Sequence, residues 1–198
     1  MPTLRGDVRY FHVAARDWYG GGLDLTPSYV EIEDCAHFHG ALAALCAAHG
    51  PAGTYKAMKR ACDDYFYLPA RAEHRGVGGV FFDDLEEEWA PAFAEALMRA
   101  ALDPKGPYMP LVARRQPLPH TPAQKEWQLL RRGRYIEFNL LYDRGVRFGL
   151  SPESVERVLV SSPPYAAWKY RAEPAAGTAE ANTLEVLRRP HEWATAQT

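Results

Sequence analysis

Hydrophobic and polar positions alternate first over Val8-Arg9-Tyr10-Phe11-His12-Val13, which predicts a strand. Ser28 to Ile32 reads as a short second strand. Glu31 to His49 changes period: Ile32, Cys35, Phe38, Leu42 and Leu45 fall at helical spacing, and Gly50-Pro51 ends the run. Tyr55 to Tyr67 predicts another helix with an aromatic end. Gly76 to Asp84 reads as a buried strand entered through glycines, and Glu86 to Leu102 as a helix. Thr121-Pro122-Ala123-Gln124 has the form of a capping box with proline at the first helical position, opening a helix to about Arg132. Gly133 then predicts a break, and Arg134 to Tyr142 alternates as a strand. A short helix over Pro152 to Val160, a strand around Trp168 to Tyr170 and a helix over Ala179 to Arg188 complete the pattern, with Ala172 to Ala181 the weakest-ordered stretch by composition. Strands and helices mix without a βαβ beat, which predicts an α+β fold: an antiparallel sheet flanked by helices.

At 198 residues and 47% hydrophobic, the chain suits one domain over residues 1–198. No apolar run reaches membrane-spanning length, and the start lacks a signal-peptide layout. A net charge of -2 gives no case for a nucleic-acid partner. Cys35, Cys46 and Cys62 show no CxxC spacing, which points to a reducing compartment.

The densest candidate chemistry is Gly20-Gly21-Gly22-Leu23-Asp24, flanked by Trp18-Tyr19 and Ser28-Tyr29. Consecutive glycines let backbone approach a ligand, and one carboxylate follows. The segment reads either as a place for a flat, nitrogen-bearing ligand or as a tight turn whose aspartate bonds its own loop. The second cluster, Arg75-Gly76-Val77-Gly78-Gly79, has no dinucleotide fingerprint and fits a closely packed strand. Asp83 and Asp84 point to opposite faces of a strand, and His37 and His39 lie about 200° apart on a helix, so neither pair favours a metal. No nucleophile motif is present. Arg9, Arg131, Arg132, Arg134, Arg144 and Arg147 fall in or beside predicted strands, where guanidinium groups suit carboxylate-bearing ligands.

Three long stretches go beyond generic pattern: Trp18 to Tyr29; Cys62 to Tyr67 with Arg75 to Leu85; and Arg131 to Gly145. Together they closely resemble the oxygen-dependent coproporphyrinogen III oxidases, in order from about Met1 to Trp193. The resemblance implies an antiparallel sheet flanked by helices, usually in a homodimer. It implies oxidative decarboxylation of two propionates of coproporphyrinogen III to vinyl groups, with O2 as co-substrate, no metal and no organic cofactor. It implies Asp24 and Arg9 as catalytic residues, Asp24 accepting hydrogen bonds from inward pyrrole NH groups and Arg9 holding a propionate. Gly20, Gly21, Gly22, Arg5, Arg134 and Arg144 are the further substrate-binding candidates. A cytoplasmic location follows for a bacterial member, an organellar one for a eukaryotic member.

The chain departs from the family pattern at Arg5, where a histidine is usual, and at Asp7, where an asparagine is usual. An arginine cannot serve as a neutral acid or base near pH 7. The loop after Phe148-Gly149-Leu150 is one residue shorter and lacks the usual glycines and arginine, and Ala70 replaces a common histidine. Family members also carry an N-terminal region before this start, so an open cleft and exposed apolar sheet surface are expected. Two alternatives stay open: a relative that binds a tetrapyrrole or partner chain without turnover, and an oxidase of another propionate-bearing substrate.

Overall fold

In the computed structural model, which describes residues 1–147, 155–160 and 162–194, two long strands form the base of the site. β1 (Thr3–Val13) and β2 (Arg16–Thr26) pair antiparallel, with Arg5 opposite Asp24, Asp7 opposite Gly22 and Arg9 opposite Gly20. β3 (Tyr67–Leu68) and β4 (Glu73–His74) form a small separate ladder around a 3-10 turn at Pro69–Arg71. β5 (Gly78–Leu85) pairs antiparallel with β2, placing β2 at the centre of a three-stranded sheet. The glycine segment is therefore central strand, not a turn. The reason lies in the spacing of its neighbours: a Cβ on Gly22 would meet the Val80 carbonyl at 2.6 Å.

The helices are α1 (Ile32–His49), α2 (Thr54–Tyr65), α3 (Ala90–Leu102), α4 (Met109–Arg115), α5 (Pro122–Leu141), α6 (Arg144–Arg147), α7 (Val155–Leu159) and α8 (Ala179–Leu187). One sheet face carries Leu23, Leu25, Val80 and Phe82, which pack on Cys35, Phe38 and Leu42 of α1 and Phe93 and Leu97 of α3 to form the main core. The other face meets a smaller aromatic core of Cys62, Phe66, Leu68, Phe81 and Phe138. The α+β architecture expected from the sequence is the one observed.

Several local expectations are corrected. Arg134 to Tyr142 is not a strand: α5 runs unbroken for 20 residues, opened by a capping box in which the Thr121 side chain accepts from Gln124 N and Gln124 answers to Thr121 N. Burial of Arg131, Tyr135 and Phe138 follows helical spacing. Gly133 is no break. A Cβ there would lie 2.5 Å from the Ala167 carbonyl and 3.2 Å from the Trp168 indole, so glycine admits a neighbouring segment against the helix. That segment, Trp168 to Tyr170, is irregular and not a strand; it is anchored where Ala167 N donates to Leu129 O. Ser28 to Glu31 is irregular too, tied down where Trp127 Nε1 donates to Ser28 O and Val30 N to Thr183 Oγ1. Arg131, Arg132, Arg134, Arg144 and Arg147 accordingly sit on helices. Residues 86–89 precede α3, whose first helical residue is Ala90. Of the helix expected over Pro152 to Val160, Val155–Leu159 is helical, and Pro152 to Ser154 lie outside the described residues, as do Phe148 to Ser151 of the altered loop.

Candidate active site

The β1–β2 register puts Arg5, Asp7 and Arg9 on the same sheet face as Asp24, Gly22 and Gly20. Asp24 is almost completely buried. Its Oδ1 accepts from Arg75 Nη2 at 2.7 Å, and its Oδ2 lies 3.5 Å from Arg5 Nη1, too far for a direct hydrogen bond. Arg5 Nη2 approaches Asp7 Oδ1 at 2.5 Å, out of line for a hydrogen bond, and Arg9 Nη1 donates to Asp7 Oδ2. Arg9 Nη2 then stands 3.5 Å from Asp83 Oδ1. Charges thus alternate outward across the face, from hidden Arg75 through Asp24, Arg5, Asp7 and Arg9 to half-exposed Asp83.

The inner part of this ladder is under-satisfied. Arg5 Nη1, Asp7 Oδ1 and Asp24 Oδ2 are buried and have no hydrogen-bond partner among the described residues. Unmet donors and acceptors in low dielectric are costly, and a ligand presenting both NH groups and carboxylates would satisfy them. Burial works against the charge on Arg5, yet Asp24 and Asp7 outweigh it and raise the Arg5 pKa. Arg5 therefore stays cationic across the physiological range.

Aromatic rings wall the face. Tyr65 stacks on Phe81 with centroids 4.5 Å apart, and Phe66 lies under both guanidiniums, 5.1 Å from Arg5 and 3.9 Å from Arg75. Gly20 leaves room over the strand that Arg9 and Asp83 now occupy: a Cβ there would come within 2.7 Å of Asp83 Oδ1 and 3.0 Å of Arg9 Nη2.

The other expected residues divide. Arg144 opens α6 with its guanidinium over the Tyr65 ring at 5.0 Å, beside the aromatic wall. Its neighbour Asp143 accepts from Tyr65 Oη at 3.3 Å and from the Gly145 amide at 2.9 Å. Arg134 is engaged elsewhere: it donates to Glu137 at 3.1 Å and lies 3.5 Å from Glu73 in a network with Arg71 and Arg131. Burial lowers the Arg134 pKa, partly offset by Glu137. Gly21 faces away from the ladder, and a Cβ there would drive into the Asp7 carbonyl. The residue that sequence reasoning passed over is Arg75. Arg75 opens the second glycine cluster, and the signal it carries in sequence is a cation placed directly before a buried glycine-rich strand.

A separate cavity of about 500 Å3 opens beside Met1, lined by Leu25, Pro27, Cys35, Asp34, Arg115 and Lys125 among others. It lies on the opposite side of β2 from Asp24. Its buried carboxylate is already matched, since Arg114 Nη1 and Arg115 Nε donate to Asp34 at 2.6 and 2.7 Å. Arg131 and Arg132 on α5 also carry buried nitrogens unpaired among the described residues, but unmet donor and acceptor atoms of Arg5 and Asp24 come together on the Asp24 face, which makes that face the better candidate for chemistry. His37 and His39 bind different partners, the Gly106 and Val77 carbonyls, and among the described residues no group of three His, Cys, Asp or Glu side chains is arranged to hold a metal ion.

A family-wide sequence profile described as Coproporphyrinogen III oxidase matches residues 1–193. The chain is 46% identical over 202 aligned positions to the oxygen-dependent coproporphyrinogen-III oxidase, mitochondrial, of Homo sapiens, covering 97% of this chain and 44% of that protein. Against the protein of the same description from Mus musculus the identity is also 46%, covering 97% of this chain and 45% of the relative. The chain thus spans less than half the length of these curated relatives.

Proposed function

The chain belongs to the coproporphyrinogen III oxidase family, and from that premise we propose that it carries out the oxygen-dependent oxidative decarboxylation of two propionates of coproporphyrinogen III, giving protoporphyrinogen IX in haem biosynthesis. Each propionate with one proton and one O2 yields a vinyl group, CO2 and H2O2. The observation that carries this reading is the buried Asp24 carboxylate, with one oxygen engaged by Arg75 and the other free beside Arg5. A porphyrinogen turns its pyrrole NH groups inward, and the free Oδ2 is an acceptor for them; Asp24 can also take a pyrrole proton. Arg5 and Arg9 are the carboxylate-holding groups. Arg9 and Asp83, the most exposed members of the ladder, move off Gly20 as the macrocycle enters. Arg144 meets a peripheral propionate beside Tyr65. The reduced macrocycle supplies electrons to O2 directly, and the protein contributes position, charge and exclusion of water. No metal or organic cofactor is part of this proposal.

The proposed assembly is a homodimer. Exposed Tyr10, Phe11 and Val13 at the tip of the β1–β2 hairpin support it, as does the outer edge of β1, which pairs with no strand among the described residues. No described helix is long and apolar enough to cross a membrane. We propose a cytoplasmic location, or an organellar one in a eukaryotic cell, since the human and mouse relatives are named as mitochondrial.

A second reading, a relative that binds a tetrapyrrole without turning it over, is favoured by Arg5, whose guanidinium stands against Asp24 and Asp7. Aerobic incubation of the 198-residue chain with coproporphyrinogen III separates the two. Protoporphyrin fluorescence rising above a protein-free blank supports the oxidase. No rise, with coproporphyrin III still binding, supports the binder.

A further inference from the structure

We propose that Arg75 is a positioning residue that fixes the orientation of Asp24, so that Oδ1 is held and Oδ2 alone is offered to substrate; this rests on the reading of Asp24 given above. Arg75 has no exposed surface and so cannot reach a bound macrocycle from solvent. Its guanidinium is clamped between rings, 3.9 Å from the Phe66 centroid, 4.6 Å from Tyr135 and 5.1 Å from Phe138. One terminal nitrogen donates to Asp24 Oδ1 at 2.7 Å, the other to Asn139 Oδ1 at 3.3 Å. The Arg75 amide is itself fixed by donating to Phe66 O at 3.0 Å. The Arg75 Nε has no hydrogen-bond partner among the described residues, so the two terminal nitrogens and the stacked rings are what restrain the guanidinium and, through it, the carboxylate it holds. Arg75 therefore acts through Asp24 and not on substrate.

The chemical identity of the clamp matters. A lysine keeps the charge but is a point donor on a flexible stem, with neither the plane that stacks on Phe66 nor the second fork that reaches Asn139. A misplacement of about 1 Å at a reacting group can cost roughly 10²-fold in rate.

The test compares wild type, Arg75→Lys, Asp24→Asn and the double variant of the full 198-residue chain, each shown to be folded by circular dichroism and urea titration. Arg75→Lys is expected to lower kcat for coproporphyrinogen III by about 10- to 10²-fold with KM within about threefold, and to cause no further loss in the Asp24→Asn background. An unchanged kcat, or the same fractional loss in both backgrounds, overturns the proposal, the second outcome marking a merely structural residue. Should Arg75→Lys fail to fold, Asn139→Ala releases the outer fork of the same guanidinium: a severalfold fall in kcat supports the proposal and none overturns it. Should wild type bind coproporphyrin III without turnover, the comparison is read in Kd. A tenfold weakening confined to the Asp24 background then supports it, and equal affinities overturn it. Wild type that neither binds nor turns over removes the Asp24 reading and this inference with it, whereas an active wild type matched by Arg75→Lys removes this inference alone.

Discussion

Arg5 and Asp24 are cross-strand partners in the β1–β2 ladder, and their side chains meet at 3.5 Å on the face that carries the under-satisfied polar groups. The contact is close enough for strong attraction in a buried setting and too long for a hydrogen bond. It therefore marks a carboxylate held by charge but still open to a better donor.

Replacing Arg5 by histidine removes the guanidinium that competes for Asp24 Oδ2 and supplies a group able to transfer protons. Arg5→His should raise turnover, by up to about 10²-fold if the imidazole acts as acid or base. Turnover in the variant should also change across the range where histidine titrates, about pH 5 to 8, a response that Arg5 itself cannot give. Initial rates of protoporphyrin formation between those limits check both points, and an Arg5→His rate at or below wild type would show that Arg5 is no obstacle.

Asp24→Asn keeps the shape of the side chain and removes the charge. Turnover should fall at least about 10²-fold. Stability should also fall, by about 3 kcal/mol, because Arg75 is left buried without its counter-charge. Rates per folded molecule, set beside urea midpoints, separate the two effects; undiminished turnover would remove Asp24 from the chemistry.

Gly20 and Gly21 are adjacent but should respond differently. A Cβ on Gly20 meets only the ends of Asp83 and Arg9, which can move, so Gly20→Ala should keep stability within about 1 kcal/mol. It raises the floor under the substrate and should increase KM about tenfold. Gly21 has φ 155° and its Cβ would strike backbone, so Gly21→Ala should cost about 2 kcal/mol or more. Thermal denaturation and steady-state kinetics on the two variants test the contrast, which equal stabilities would contradict.

His39 is fully buried, with Nε2 donating to the Val77 carbonyl and Nδ1 accepting from Tyr55 Oη. Burial, with a smaller push from Lys59, lowers its pKa from 6.5 to about 3. Between those values the unfolded chain binds a proton that the folded chain does not. The stability due to neutral His39 is complete above pH 6.5 and is lost progressively as pH falls toward 3. From pH 6.5 to pH 5 the loss should reach about 2 kcal/mol. Urea titrations of wild type and His39→Gln at both pH values isolate this contribution from those of the carboxylates; identical slopes would refute it.

The strands Val8 to Val13 and Gly76 to Asp84, the helix after Glu31 and the Thr121 capping box were legible because each rests on local pattern: alternation, helical spacing or a side chain bonding its own backbone. The second half of α5 was not. Ile136, Phe138 and Leu140 alternate with Glu137 and Asn139, and Gly133 carries the usual mark of a break. Only the close approach of Ala167 and Trp168, distant in sequence, explains that glycine. The site divides in the same way. Asp24 stands out because glycines precede it, but the alternation marks a strand only from Val8 and the glycine segment reads as no strand, so the β1–β2 pairing that brings Arg5 and Arg9 to Asp24 is visible only in the fold. The clamp on Arg75 depends on Phe66, Tyr135, Phe138 and Asn139, whose convergence no local spacing reveals. Arg134 looked equivalent to the other arginines, yet its helix face turns it to Glu73 and Glu137.

The complete burial of Arg75 also bears on the order of assembly. Asp24 is 51 positions from Arg75 along the chain, and Arg75 is 64 from Asn139, so three distant segments must arrive before the guanidinium is boxed in. Once boxed in, it cannot exchange partners without opening the aromatic core. Pairing of β2 with β5 brings Arg75 near Asp24, but Tyr135, Phe138 and Asn139 enclose the guanidinium only when α5 docks. Enclosure of the clamp thus depends on long-range docking of α5, and recovery of function on refolding should lag the recovery of sheet.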